Sequence, residues 1–435
     1  MKATIHRGTR EIGGTLIELN NGNSRLLLDA GYPLFLNGSP IDDKIAKLPP
    51  EELLKLGVLP SIDGLYQWDS PSFDGILISH AHLDHYGLLK YVHPDIPVYL
   101  SAGTKTLIEV SQTFKICEQY AINARLFKMD KPMNKPFAVG DYSVKPYLMD
   151  HSAFDSAAFE IKSNGKTVIY SGDFRGHGRK PKCLDRFIEN VAKQADVLFV
   201  EGTMATRSDE RTITEDELEK IIIDELRGKS GIALFQVSSQ NIDRIVSFYK
   251  AAKRLGKTFV VDIYTANVLH ELHKLGSKIP YPSYQNLKVF YPRWLAKKIC
   301  EEIEKKYATR FSAFRISRAQ IAARQNEIVM LVRPSMQNSS DLGRCHLSGG
   351  TFIYSMWKGY RNSDYQQNFE KWLSEQGFNN TFLHTSGHAT VSDIRRLIDG
   401  INPKKIVPVH TTQPNAFLEY SDKVEIQKDG KTFEI

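Results

Sequence analysis

The sequence predicts an α/β protein in which one domain is interrupted by another. Three observations carry that prediction. Up to Val200 the chain alternates short apolar runs with turn residues, the texture of a strand-rich unit. After Glu201 strands and helices follow one another regularly, as in a small α/β unit with a largely parallel sheet. From residue 380 the first texture returns. A length of 435 residues leaves room for such an arrangement, and 41% hydrophobic with 25% charged residues is ordinary for a globular chain.

The elements follow from local chemistry. Ala3–Arg7, Thr15–Asn20 and Arg25–Asp29 read as strands separated by Gly13-Gly14 and by the hairpin turn Asn21-Gly22. A polar, Pro-containing stretch from Tyr32 to Ser72 holds one helix at Pro50–Leu56. Then come a strand (Gly75–Ser79), a His-rich loop, a helix (Tyr86–Tyr91), a strand (Pro97–Leu100) and a helix (Thr104–Tyr120). Strands are expected at Ser143–Tyr147, Ala157–Lys162, Thr167–Ser171 and Val197–Val200. The second unit reads as helix Glu215–Arg227, strand Ile232–Gln236, helix Ile242–Arg254, strand Thr258–Asp262 and helix Ala266–Leu275. It continues through strands Glu327–Val332 and Thr351–Tyr354 to helix Gln366–Gln376. The returning part is strand Thr381–His384, helix Val391–Ile398, strand Lys405–Val409 and a terminal hairpin turning at Asp429-Gly430. The expected division is therefore 1–203, 204–379 and 380–435, the first and last belonging to one domain.

Composition removes several functions. No apolar run approaches a membrane span and the N-terminus lacks a signal-peptide core, so no membrane partner is expected. Cys117, Cys183, Cys300 and Cys345 are scattered without a C-x-x-C pair, which predicts reduced thiols in the cytoplasm and leaves metal binding to His and carboxylates. The net charge of +7 is mildly basic. Basic residues gather in Arg175–Lys182 and in Arg310–Arg324, where Phe311 and Phe314 are interleaved. That second pattern could suit a phosphate backbone with stacked bases, but a solvated helix face is the better account of any single run.

The chemistry concentrates in Ile78-Ser79-His80-Ala81-His82-Leu83-Asp84-His85, an H-x-H-x-D-H cluster just after an apolar strand. Neutral imidazole and carboxylate are the ligands that Zn²⁺-like ions prefer. His80 and His82, two residues apart at a strand end, point the same way and can share one ion. Asp84 and His85, on the turn that follows, can hold a second. Other apolar strands also lead to ligands: His151 in Asp150-His151-Ser152, Asp173 after Gly172, and His410 in Pro408-Val409-His410. Asp29 has the same placement on an early strand, which suits it to hydrogen-bonding a ligand rather than binding metal.

The set H-x-H-x-D-H, His151, Asp173 and His410 resembles the metallo-β-lactamase superfamily. The resemblance implies an αββα sandwich with metals at one edge. It implies His80, His82 and His151 on one ion, Asp84, His85 and His410 on the other, and Asp173 bridging. Glu201-Gly202-Thr203, Ser386-Gly387-His388-Ala389 and Pro408-Val409-His410 further resemble motifs A, B and C of the β-CASP nucleases, the group containing ribonuclease J and the pre-mRNA 3′-end cleavage endonuclease. Residues 204–379 then correspond to that group's inserted β-CASP domain.

The resemblance implies a ribonuclease with two Zn²⁺ ions, or Mn²⁺ or another divalent ion in their place, whose activated hydroxide hydrolyses a phosphodiester. Asp84, Glu201 and His388 are the catalytic candidates. Glu201 is expected to hydrogen-bond His388, which acts on the scissile phosphate. Ser386, Gly387 and Ala389, entering a helix capped by Thr390 or Ser392, are expected to bind phosphate, with Arg175 beside them. Phe174 offers no hydroxyl there. His384 is as fitting a core or RNA-lining residue as a catalytic one. Phe311, Arg315, Trp357 and Tyr360 are further candidate contacts for single-stranded RNA. A His in motif C resembles the RNA-processing members, whereas Thr411-Thr412 departs from the Gly-Glu usual in ribonuclease J. The chain stops about 25 residues after His410, so that enzyme's C-terminal domain is not expected. A second copy or an RNA-processing complex is the other class of partner. A DNA nuclease of the same family and a non-catalytic scaffold are the alternatives.

Overall fold

The computed structural model describes residues 1–36, 38–129, 135–207 and 212–435. Among them, strand patterning builds two sheets that pack face to face. The first has seven strands in the spatial order Thr432–Glu434, Lys2–Arg7, Leu16–Asn20, Arg25–Leu28, Gly75–Leu77, Val98–Ser101 and Ala124–Phe127. The second has six: Ile406–Val409, Val197–Glu201, Lys166–Tyr170, Ala157–Ser163, Tyr142–Leu148 and Phe137–Val139. Val197–Glu201 runs parallel to both of its neighbours, so Ile406–Val409 joins this sheet beside a strand some two hundred residues earlier.

Alternation along these strands turns Ile5, Ile17, Leu19 and Leu28 of one sheet toward Phe159, Ile161, Val168 and Phe199 of the other, all without solvent exposure. The outer faces are covered by helices. Lys182–Asn190 and Val391–Ile401 place Phe187, Leu397 and Ile398 against Ile169, Leu198 and Val200. Ala102–Thr113 places Leu107 and Ile108 in the cluster that holds Ile76 and Leu100. The result is the αββα sandwich.

A third sheet has six parallel strands, ordered Leu287–Phe290, Thr258–Asp262, Ile328–Leu331, Ile232–Gln236, Gly350–Tyr354 and Phe378–Phe382. Its central strands are apolar on both faces, as a sheet covered by helices requires. Phe235 and Phe259 pack in the cluster that holds Phe248 of helix Ile242–Arg254, while Leu234 and Phe352 pack with Phe369 of helix Asp364–Glu375. Phe114, which caps Ala102–Thr113, meets Tyr264 of the insertion edge to face at 5.2 Å. The sandwich's outer helix is thus also a wall of the insertion.

Several elements differ from expectation. The helix expected at Tyr86–Tyr91 begins earlier, as an α-turn at Leu83–Tyr86 followed by a 3₁₀ segment at Gly87–Tyr91. Asp84 therefore sits in a helical first turn, where a carboxylate is favoured. Thr104–Tyr120 shortens to Ala102–Thr113 because Lys115 turns left-handed at φ 52°. The strand expected at Thr381–His384 of the returning segment is Phe378–Phe382, paired in parallel with Gly350–Tyr354 of the third sheet. The terminal hairpin does not form. Thr432–Glu434 pairs antiparallel with Lys2–Thr4, whose edge was otherwise open. The strands Ala124–Phe127, Phe137–Val139 and Leu287–Phe290, three or four residues long, went unrecognised because so few residues show no period.

The loop after Arg25–Leu28 runs beside the metal-rich turn. Ala30 N donates to His85 O at 2.8 Å and Tyr32 N to Leu83 O at 3.0 Å. Between them, a Cβ on Gly31 would lie 1.9 Å from Asp84 O and 2.6 Å from Thr15 N, both backbone atoms. Gly31→Ala must therefore push the Asp84 turn away, at a cost of about 3 kcal/mol. Thermal or urea unfolding of the variant should show that loss; an unchanged midpoint would mean the turn is not clamped there.

Candidate metal centre

The loop leaving Gly75–Leu77 buries His80 completely and turns it toward His82 and His151. His80 Nε2 lies 3.1 Å from His82 Nδ1, which lies 3.3 Å from His151 Nε2. A tetrahedral ion with Zn–N bonds of ~2.0–2.1 Å separates its ligands by about 3.3 Å. Three imidazole nitrogens converging on one point cannot satisfy each other by hydrogen bonds. Burial, reinforced by neighbouring imidazoles, holds His80 and His151 well below the usual histidine pKa and brings His82 down to about 4. All three are in the neutral, ligating form.

A second group forms from Asp84, His85 and His410. Asp84 Oδ2 lies 3.2 Å from His410 Nε2 and 3.9 Å from His85 Nε2. Asp173, at the start of the loop after Lys166–Tyr170, reaches both groups: its Oδ2 is 3.2 Å from His85 Nε2 and 3.8 Å from His80 Nε2. Burial works against ionising Asp84 and Asp173, but the surrounding histidines outweigh it and hold both carboxylates below their usual range. His85 Nε2, Asp173 Oδ1 and His388 Nδ1 are buried without a hydrogen-bond partner. Buried polar atoms are normally paired. Orphaned polar atoms on converging ligands fit a pair of divalent ions.

Four of the histidines, His80, His85, His151 and His410, are aimed by a hydrogen bond on the other ring nitrogen. His85 Nδ1 donates to Asp29 Oδ2 at 2.7 Å. Asp29, left-handed at φ 57°, also accepts from Ser79 N at 2.7 Å, Ser79 Oγ at 2.8 Å and Tyr170 Oη at 2.5 Å. His151 Nδ1 donates to Gly387 O at 2.6 Å, and His410 Nδ1 pairs with Thr203 Oγ1 at 2.9 Å. Motifs A and B thus each brace a ligand. A Cβ on Gly387 would stand 2.9 Å from Ser152 Oγ, so the Ser152 side chain would have to turn aside to admit one.

The segment leading to His388 is held by its carbonyls. Arg244 Nη2 donates to Thr385 O at 2.9 Å, and Arg175 Nη1 and His177 Nε2 both donate to Ser386 O at 2.9 Å. Both arginines are fully buried. Arg175 pairs with Asp243 at 2.6 Å, Asp150 at 3.4 Å and Glu215 at 3.5 Å, while Arg244 pairs with Glu215 at 3.0 Å. His388 itself retains 23% side-chain exposure, with Nδ1 3.4 Å from Glu201 Oε1 and 3.5 Å from Asp173 Oδ2. Burial opposes its charge, but Glu201 and Asp173 outweigh it and push its pKa up to about 9.

Four expectations need correction. Arg175 cannot contact a phosphate, because it is buried and its charge is taken up by three carboxylates. Ala389 N is likewise engaged, donating to Glu201 Oε1 at 3.1 Å; the same carboxylate accepts from Thr203 N at 3.0 Å and faces His388 Nδ1 at 3.4 Å, as expected. The helix after motif B is closed by Thr390, not Ser392, in a capping box with Asp393, so its first turn carries its own anion. Phe311 is core. Ser386 Oγ accepts from His388 N at 3.1 Å, and its carbonyl and that of Gly387 are both engaged as described. His384 packs inside, Nδ1 3.3 Å from Arg244 Nη1, its pKa lowered to about 4 by burial and that charge. Arg315 is exposed, as are Trp357 and Tyr360, which meet at 5.2 Å, and the Asp84 carboxylate adds to burial in raising the Tyr360 phenol. Sequence reasoning missed Ser79, Tyr170, Glu215, Asp243 and Arg244; their partners lie far along the chain, and no local spacing marks them.

Known proteins resemble this arrangement. Residues 61–222 match the model of a beta-lactamase superfamily domain, and residues 366–433 match that of a Zn-dependent metallo-hydrolase RNA specificity domain. Ribonuclease J of Sinorhizobium meliloti is 26% identical over 81% of this chain and 60% of its own length. Ribonuclease J of Helicobacter pylori is 22% identical over 94% of this chain and 56% of its own. The chain thus spans under two thirds of the length of these relatives. A crystal structure of a protein of unknown function from Enterococcus faecalis V583 shares the fold, with a TM-score of 0.77 and 22% identity over 99% of both chains.

Asp29→Asn keeps the size and left-handed tolerance of the residue but removes the charge facing His85. Calorimetric titration with Zn²⁺ should show affinity at one of two sites reduced by about 10–100-fold. Equal affinities at both sites would refute the supporting role.

Proposed function

Because the chain belongs to the metallo-β-lactamase superfamily, in the β-CASP branch with ribonuclease J, we propose that it is a metal-dependent ribonuclease hydrolysing RNA phosphodiester bonds. The observation that carries the reading is Asp173, whose one carboxylate touches both ligand groups and has the partly exposed edge of His388 beside it. In this reading His80, His82 and His151 hold one Zn²⁺ or Mn²⁺, Asp84, His85 and His410 hold another, and Asp173 touches both. Bound there, two divalent ions would acidify a water and neutralise charge on phosphate oxygens.

The protein's own groups supply the rest. His388 carries a proton at a ring nitrogen and can pass it to the departing oxygen, while Glu201 accepts from the amide of Ala389, the next residue, and from that of Thr203. Carbonyl anchoring through Arg244 and Arg175 holds that imidazole in place without occupying its exposed edge. Trp357 and Tyr360 of the insertion stand exposed and in contact with each other, with the Tyr360 phenol in the field of Asp84, suited to stacking on unpaired bases. RNA is favoured over DNA by His410 in motif C and by the matched RNA specificity domain, which spans Ser386–Ala389 and His410. Insertion 204–379 is the clamp of this reading. Four unpaired cysteines support a reducing, cytoplasmic setting.

Matched 5′-labelled single-stranded RNA and DNA test the proposal. RNA should be cut and the activity should vanish with a chelator. Asp84→Ala should lower the rate by at least ~10³-fold, and His388→Ala by about 10²–10⁴-fold with metal binding intact. Preferential cutting of DNA, or full activity of Asp84→Ala, would overturn it.

A further inference from the structure

Net charge is distributed unevenly along this chain. Residues 288–324 carry ten Lys and Arg against three Glu, a surplus equal to the +7 of the whole protein. The remainder is neutral. These residues form the far edge of the insertion, around Leu287–Phe290, the strand that lies at the opposite end of the third sheet from Phe378–Phe382 and the loop into motif B. Five strand spacings of ~4.8 Å put about 24 Å between those edges.

Five of these ten cations, Lys297, Lys306, Arg310, Arg318 and Arg324, are paired with carboxylates, and the others are presented. Lys288, Arg293, Lys305 and Arg315 have no carboxylate partner among the described residues, and Arg293, Lys305 and Arg315 are exposed. Arg315 lies over Tyr291 with 5.1 Å to the ring centroid, and Arg318 over Phe290 at 5.0 Å. Such stacking keeps a guanidinium flat and its charge available at little further cost in side-chain freedom. Arg293 N and Arg318 Nη2 share Asp341 Oδ1, which draws the two segments together, and the indole of Trp294 stands 43% exposed between them in sequence. Spread cations with an accessible aromatic ring match a flexible polyanion with bases, not a single small anion.

We propose that this edge is a second RNA-binding surface, which holds the phosphate backbone of a single-stranded flank outside the catalytic cleft. It rests on the ribonuclease reading and adds a length preference to it. At ~3.4 Å per phosphate along a strand, a span of about 24 Å needs about seven nucleotides. A tetranucleotide therefore occupies the cleft alone, whereas a 20-nucleotide RNA reaches both.

The test compares those two substrates on the full-length wild type and on Arg293→Gln/Lys305→Gln/Arg315→Gln, all surface changes away from the metal ligands. For the 20-mer, KM should rise about tenfold, and the slope of log affinity against log salt should flatten by about 0.7 for each phosphate that the variant no longer neutralises. Cleavage of the tetranucleotide should stay unchanged, which also reports an intact fold. If the wild type cuts both RNAs but the variant handles the 20-mer like wild type, the edge is not an RNA surface. A wild type that cuts neither RNA would instead overturn the ribonuclease reading. Impaired cleavage of the tetranucleotide as well would place the effect in the fold and equally overturn the inference.

Discussion

Two guanidinium groups without solvent access hold the sandwich and its insertion in one geometry. Arg175 leaves the loop after Asp173, and Arg244 sits in the first turn of an insertion helix; Glu215 contacts both. Burying such charges costs several kcal/mol each unless they are fully paired. Asp150, Asp243 and Glu215 provide that compensation, and the arginines' remaining donors are satisfied by the carbonyls of Thr385, Ser386 and Ser355. The backbone before His388 is therefore part of the charge compensation. Through His151 Nδ1 on Gly387 O, the insertion, motif B and the candidate ligand His151 are tied together.

The same logic runs through the metal centre. Imidazoles of the first group stay neutral because they crowd one another in the core, whereas the second group is rich in carboxylate. Asp29, Thr203, Ser79 and Gly387 each fix one ring by its second nitrogen. Ligand geometry is thereby set by groups drawn from both sheets and from the loop entering the last helix.

Much of this was legible in the sequence. Apolar strands that lead to His80, Asp173 and His410 announce a site at one edge of the sheets, and the change of texture after Glu201 announces the insertion. What was not legible depends on tertiary partners. Nothing local distinguishes Arg175, which looked like a surface cation in a basic run, from a buried one; only Asp243 and Glu215, brought in by the insertion, decide it. The amide of Ala389 looked free because its acceptor, Glu201, is nearly two hundred residues away. The helix at Leu83–Tyr86 was placed late because its polar ligands mask the apolar period that would have marked it.

The parallel pairing of Ile406–Val409 with Val197–Glu201 has a temporal meaning for a chain made from its N-terminus. His80, His82 and His151 are all available before the insertion begins. His410 arrives only after the third sheet has been translated, on the strand that pairs along Val197–Glu201 at the edge of the second sheet. The two ligand groups therefore mature in sequence during synthesis, and the second can close only on a protein whose insertion is already present.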